Sequence, residues 1–456
     1  MSVIRIGNGA GFWGDNLDAP QLLVETGQLD YLTLEYLAEL TMSILAHQKS
    51  RDADAGYVTD FPVVLESLVP ALKSQSHLTI VTNAGGMNPS ACAAKVAEIL
   101  SAARMDDVLI AAVSGDDLLP SLDEHLAAGE TFNHFETDAP LAELRQQTLS
   151  ANAYLGAAGI VEALSVGARI VITGRVADAS LTVGPAVHEF GWSWDDWNRL
   201  AAATVAGHLI ECGAQACGGM YSDWTEDISL SDVGYPIAEL SDDGSLIITK
   251  PEGSGGVVNT GTLAEQLIYE IGDPQHYLTP DVDADFSNVE LSQEGADRVR
   301  VAGARGNPHP EAFKVSLSYR DGYMVSGTLV ICGPNATAKA RRCGEMILER
   351  VKRAGHELSR TNIECLGAGD SLPRIALADN EPWEVVLRIT AYDASREAVD
   401  RLSRELAPLV TSGPPGVTGY TGGRPKPRPV AAYWPTTIAR NKVSPTVETK
   451  PASEWN

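Results

Sequence analysis

A chain of 456 residues with 44% apolar and 21% charged side chains is long enough for two or three domains and has a globular composition. Its net charge of −26, from 34 basic against 60 acidic side chains, leaves no basic footprint for nucleic acid or an anionic membrane. No stretch approaches the ~18 uninterrupted apolar residues that span a bilayer. The opening "MSVIRIGNG" lacks the basic-then-apolar layout of a signal peptide. Six cysteines (Cys92, Cys212, Cys217, Cys332, Cys343 and Cys365) form no C-x-x-C pair, so reduced thiols in a cytoplasmic protein are expected, without structural zinc or a disulfide framework.

The first half alternates. Apolar, β-branched runs at "VIRIG", "DYLTLEYL", "HLTIVTNAGG", "DDVLIAAVSGDD" and "ARIVITGRVAD" are separated by helical stretches such as "SACAAKVAEILSAAR" and "ANAYLGAAGIVEALSVG". That pattern predicts an α/β domain over 1–287 with a wound, mostly parallel sheet. The first strand runs into "GNGAGFWGDN", where Gly9, Gly11 and Gly14 satisfy G-x-G-x-x-G and Glu35 follows at the distance of a ribose-binding acid. The physics disfavours a dinucleotide there. Phe12 and Trp13 are bulky where a pyrophosphate needs close backbone approach, and Asp15 would repel it. Asp18 with Pro20 opens the helix instead. The glycines are expected to turn the chain at the carboxyl end of the strand, where open α/β sheets place ligands, with Asp15 and Asn16 facing the pocket. A solvated turn carboxylate is the alternative for Asp15.

The same logic applies to the other strand ends. Glu35 interrupts an apolar run, and a carboxylate there must be paired or perform chemistry, unless it is a loop or short-helix acid facing water. "TNAGGMNPS" offers Asn83, Gly85, Gly86 and Asn88 before a helix opening at Pro89, a good cradle for a carboxylate or thioester oxygen. "VSGDD" places Asp116 and Asp117 at a further strand end, where helix capping is expected of at least one. In "ITGRVADAS", Arg175 can clamp an anion, or simply pair with Asp178. His208, Glu211 and Cys212 share a helix face, as a base held by a carboxylate, a metal pair, or a packed core histidine. A glycine loop around Ser254 reads as a phosphate-type nest or a connector, followed by a helix capped near Asn259 or Thr260. No H-E-x-x-H, P-loop or G-x-S-x-G motif occurs.

From about Asn288 the texture changes. "FKVSLSYRDGYMVSGTLVICG" alternates around Asp321-Gly322, which predicts a hairpin. Asn335 caps a helix ending at Gly355, Ser395 caps another, and strands are expected at "NIECLG", "WEVVLRITAYD" and "AAYWPTTIA". This β-α-β-β-α-β order predicts a smaller α+β ferredoxin-like domain over 288–456, with a Gly/Pro loop before its last strand and a C-terminal tail.

Five stretches, "IGNGAGFWGD", "DYLTLEYLAELTM", "TNAGGMNP", "ITGRVADASL" and "GGVVNTGTLAEQLIYEIGDPQHYLTPDV", resemble the acyclic terpene utilisation family, the AtuA-like proteins. The resemblance runs from Ile4 to at least Asp283. It implies a catabolic enzyme of the cytoplasm acting on a small branched acid or its CoA thioester, since neighbouring enzymes in such pathways process branched acyl-CoA. It assigns no catalytic residue.

The residues taken together point to acid–base chemistry, of a lyase/hydratase or a hydrolase. Asp15, Glu35, Asp178, His208 and Glu211 are the catalytic candidates. Asn16, Asn83, Gly85, Gly86, Asn88, Arg175 and Ser254 are the substrate-binding ones. No metal ligand set is assigned, a divalent metal stays open, and no redox cofactor is expected. A small-molecule acid or acyl-CoA is the expected partner, with no nucleic acid or membrane, in a homo-oligomer. The alternatives are a non-catalytic subunit of an acyl-CoA enzyme and a nucleotide-dependent enzyme using the glycine loops.

Overall fold

The computed structural model describes residues 2–372, 381–419 and 422–455. The chain divides into two compact units, Met1–Leu317 with Tyr433–Asn456, and Ser318–Ala432. Among the described residues no helix is long and apolar enough to cross a membrane.

The first unit is built on a ten-stranded sheet. At its centre, Val3–Asn8, Tyr31–Leu34, Thr79–Thr82, Ile170–Thr173 and Leu109–Ser114 lie side by side in that order, all parallel. Their residues are buried on both faces, which is why these strands read as continuous apolar runs. The sheet as a whole is mixed, not mostly parallel. Ile237–Ser241, Leu246–Thr249, Arg298–Ala302 and Glu290–Gly295 extend one edge antiparallel, and Thr446–Pro451 adds an antiparallel strand at the other. Ile237–Ser241 with Leu246–Thr249, and Glu290–Gly295 with Arg298–Ala302, are each joined by a short connection, so hairpin pairing replaces the crossover that parallel strands require.

Helices Ala19–Gly27, Asp60–Ser74 and Pro89–Ala102 pack together on one face. Phe61, Leu65, Leu68 and Leu72 of the second recur at helical spacing and are fully buried, each worth about 1.5–3 kcal/mol. Helices Ala158–Ser165, Ser180–Phe190 and Trp197–Ile210 pack together on the other. Gly159 lies against Val113, whereas the neighbouring Ala112 belongs to the opposite core. The chain leaving Thr82 therefore enters a helix on one face, and the chain leaving the adjacent Thr173 enters one on the other. That reversal between neighbouring strands is where open α/β sheets hold their ligands.

Two local expectations are corrected. The 151–167 stretch is not helical throughout. Thr148–Ala153 is a strand and the helix begins only at Ala158, because Asn152 bonds the buried Asp116 and Ala153 donates to Asp116 O. Asp321-Gly322 is not a hairpin turn either. Ala312–Cys332 runs as one strand, its second part paired antiparallel with Glu384–Asp393. Gly322 sits at φ +89, so its positive dihedral kinks a continuous strand where the sequence suggests a reversal.

In the second unit the elements follow as a strand, helix Ala336–Arg353, strand Arg360–Leu366, strand Glu384–Asp393, helix Arg396–Glu405 and a closing strand. Their spatial order is Arg360–Leu366, Glu384–Asp393, Ala312–Cys332, Arg428–Ala439. Ser395 caps its helix through Ala398 N–H at 3.2 Å. Both helices bury apolar stripes, Ala340, Cys343, Ile347 and Val351 from one and Val399, Leu402 and Leu406 from the other, against Leu329, Ile331, Leu387 and Ile389.

Candidate functional site

The strand ends of the first unit place four of the sequence candidates, Glu35, Asn83, Arg175 and Asp178, in contact. Glu35 follows the Tyr31–Leu34 strand directly and is 5% exposed. One of its carboxyl oxygens accepts from Leu37 N–H at 2.8 Å and the other from the Asn83 amide, whose own oxygen receives Tyr36 N–H at 2.9 Å. Arg175 Nη1 lies 3.9 Å from Glu35. Burial pushes the Glu35 carboxyl well above the usual range and the charge of Asp178 adds to this, while Arg175, Asn83 and Leu37 N–H only partly oppose it.

Arg175 is 3% exposed and serves several partners at once. Its Nη1 donates to Leu37 O at 2.8 Å and to Asp178 at 2.9 Å, and its guanidinium lies 4.1 Å from the centre of the Tyr154 ring. Its Nε is buried with no partner among the described residues. The Lys314 ammonium also lies over Tyr154, at 4.5 Å, and the Tyr154 hydroxyl donates to Glu39 at 2.7 Å. Glu39 also pairs with Lys314 at 3.1 Å. Burial alone would raise Glu39, but the Tyr154 hydroxyl and Lys314 outweigh it and hold the carboxyl down to about 2. Two carboxylates four residues apart are thus driven in opposite directions, one toward the protonated form and one locked as an anion.

Behind Arg175 lies a second buried carboxyl. Asp116 accepts Arg175 N–H at 3.0 Å and the Asn152 amide at 2.8 Å, and burial pushes it up to about 6. Gly174 makes room for it: a Cβ there would stand 2.3 Å from the Asp116 carboxyl. Asp117 takes the turn-capping role, accepting Leu119 N–H at 3.0 Å.

The opening loop is organised by its own aspartate. Asp15 accepts from Gly11 N–H at 2.8 Å, Asn16 N–H at 2.7 Å and the Tyr235 hydroxyl at 2.6 Å. The glycines answer to packing. A Cβ at Gly11 would lie 2.8 Å from the Cys212 backbone and one at Gly9 3.0 Å from Pro20, while Gly14 has φ +102. Asn8, at the end of the first strand, donates to Ala10 O at 3.0 Å and to Ile210 O and Glu211 O at 2.8 and 2.9 Å. It ties the C-terminus of the Trp197–Ile210 helix to the strand ends. Gly207 lets that helix close onto Ala179, since a Cβ there would be 2.7 Å from Ala179 Cα.

This brings His208 and Glu211 beside the Arg175–Asp178 loop. His208 is 1% exposed, packed against Tyr277 and Phe286. Its Nε2 faces Gln266 O at 2.9 Å and Leu267 O at 3.2 Å, and its Nδ1 lies 3.1 Å from Glu211. Two carbonyls on Nε2 require that nitrogen to carry a hydrogen. Burial raises Glu211 and His208 pulls it down; the net shift is upward. Among the described residues no three His, Cys, Asp or Glu side chains are placed to hold a metal ion.

The family model described as acyclic terpene utilisation family protein AtuA matches residues 4–449. The chain belongs to the acyclic terpene utilisation family. No curated protein and no solved structure was found to match it.

In this AtuA-family chain, Glu35, Asn83, Arg175 and Asp178 meet at one place, with His208 and Glu211 on the adjoining helix. Asn88 caps the Pro89–Ala102 helix and holds Ala53 O and Ala55 O, both at 2.9 Å. Gly85 and Gly86 allow close packing: a Cβ on the first would meet Thr173 O at 2.6 Å, and the second has φ +50. Asn16 is exposed and turns the chain toward Asp18. Ser254 bonds Pro251 O at 2.7 Å and neighbours Lys250, in a network with Asp297 that contains none of the strand-end residues. Sequence reasoning missed Tyr154, Lys314, Asn152 and Asn8. A buried asparagine directly before the glycine loop was a signal for the last; nothing local marks the other three.

Proposed function

We propose that this member of the acyclic terpene utilisation family is a cytoplasmic catabolic enzyme acting by acid–base chemistry on a small branched acid or its CoA thioester. The observation that carries the reading is Glu35, a buried carboxyl held between Asn83 and Arg175 at the sheet's switch point and driven toward its protonated form. Glu35 supplies the proton. Arg175, stacked on Tyr154 with a free Nε, orients the carboxylate or thioester oxygen. Glu39 keeps Tyr154 and Lys314 in place beside it. The β-α-β-β-α-β order of the second unit supports a ferredoxin-like reading of that part.

The test is product formation, followed by mass spectrometry, from citronellate, 3-hydroxy-3-methylbutanoate and their CoA thioesters. Glu35→Gln is expected to lose about 10²–10⁴-fold in kcat/KM while retaining its fold. A variant as active as the wild type would remove Glu35 from the chemistry.

A further inference from the structure

Arg175 holds the Asp178 carboxylate at 2.9 Å, and the charge of Asp178 acts on both Glu35 and Glu211. Asp178 is about one-third exposed and is the open member of the cluster. On its inner side stands Glu35. The other side is formed by the Trp197–Ile210 helix, closed onto Ala179 at Gly207 and anchored by Asn8 at Ile210 and Glu211. Glu211, one helical turn on from Gly207, follows it on the same face. One of its oxygens faces His208 Nδ1 at 3.1 Å; the other is buried with no partner among the described residues. His208 Nε2 is committed as a donor to two carbonyls, and a proton on Nδ1 makes the imidazolium that faces the Glu211 carboxylate at 3.1 Å. As an imidazolium–carboxylate pair, they leave the second Glu211 oxygen free to accept a proton.

We propose that Glu211 serves the same site as Glu35, as base to its acid, and that the reaction is elimination of water from a β-hydroxy acyl group or the reverse addition. The inference rests on the acid–base reading above. The unpartnered Glu211 oxygen takes the proton from the carbon α to the acyl carbonyl, and its electron pair forms the C=C bond. The β C–O bond breaks, and Glu35 gives its proton to the departing hydroxide, which leaves as water. Asp178, the solvent-open carboxylate whose charge acts on both, passes the proton from Glu211 back to Glu35. Atoms and charge balance without an oxidant or a reductant. A covalent acyl intermediate finds less support, because burial pushes the nearest thiol, Cys212, up to about 12. His208 does not touch substrate; it is a positioning residue whose charge favours the Glu211 carboxylate against the effect of burial. The other titratable groups acting on Glu211 are Asp178, Glu270, Cys212, Tyr269 and Tyr277.

The experiment uses 3-hydroxy-3-methylbutanoate, its N-acetylcysteamine thioester and its CoA thioester in D2O, reading α-deuteration and dehydration separately. Glu211→Gln is expected to lose both by about 100-fold or more. Glu35→Gln is expected to lose dehydration by about 100-fold or more. His208→Gln raises the Glu211 carboxyl and moves the acidic limb of the deuteration profile to higher pH, an effect that a packing role would not produce. A folded Glu211→Gln variant that deuterates at the wild-type rate overturns the proposal. A wild-type protein that neither deuterates nor dehydrates any of the three probes overturns the acid–base reading itself. A measurement that needs no turnover accompanies these: ¹³C NMR titration of the glutamate side-chain carboxyls, assigned with the two Gln variants. Asp178→Asn is expected to lower the midpoints of both Glu35 and Glu211, because it removes a negative neighbour of each. A shift confined to Glu35 would mean that the two carboxyls do not share a site.

Discussion

Asp116→Asn should make the protein more stable at neutral pH, and the gain should depend on pH in a defined direction. Asp116 is 3% exposed and its carboxyl is raised from 3.8 to about 6, chiefly by burial. Its native form therefore binds a proton more tightly than its unfolded form. The associated stability is fully present below about 3.8 and is lost as pH rises through about 6. A shift of about two units corresponds to about 3 kcal/mol, in order of magnitude, against the native state at pH 8. Asparagine keeps the oxygen that accepts Arg175 N–H and the Asn152 amide, and removes the buried charge. The variant should thus gain about 3 kcal/mol at pH 8, with the gain narrowing by about 1 kcal/mol by pH 5.5. Urea unfolding followed by tryptophan fluorescence at several pH values measures it. A variant less stable than the wild type at pH 8, or a difference independent of pH, would refute the electrostatic argument.

Gly174→Ala forces a methyl carbon to within 2.3 Å of the Asp116 carboxyl and should cost about 1–3 kcal/mol, read by the same unfolding assay. Arg175→Lys cannot serve Leu37 O and Asp178 while stacking on Tyr154. It should raise KM by at least about tenfold, with kcat much less affected; unchanged steady-state kinetics would exclude Arg175 from substrate binding.

Much of the first unit was legible because a buried parallel strand must be apolar on both faces, and five such runs lie between helices. The strand-end logic then located Glu35, Asn83, Arg175 and Asp178, since each stands in the few residues after such a run. The antiparallel edges were not legible. Their strands alternate, as with Arg298–Ala302, and hydrophobic period carries no information about which neighbour a strand joins. The Asp321-Gly322 dipeptide misled for a related reason. A positive φ is required both by a tight turn and by a kink in a continuous strand, and only the partner strand decides between them. Tyr154, Lys314 and Asn152 were invisible because their roles come from residues distant in sequence: Glu39, Arg175 and Asp116. His208 was readable as a buried histidine with a carboxylate on the same helix face, but its proximity to Asp178 depends on Gly207 closing onto Ala179, a contact that no local pattern announces.

The central claim is that an acyl ligand binds at the strand ends around Glu35 and Arg175. Hydrogen–deuterium exchange with citronellate and with its CoA thioester tests it most directly, beside NAD, NADP and ATP as competing ligands. The account predicts that one of the two acyl ligands protects 35–39, 83–88 and 174–179. It also predicts that Arg175→Lys weakens this protection. Protection by a nucleotide at 9–14, with none by either acyl ligand at the strand ends, would contradict it.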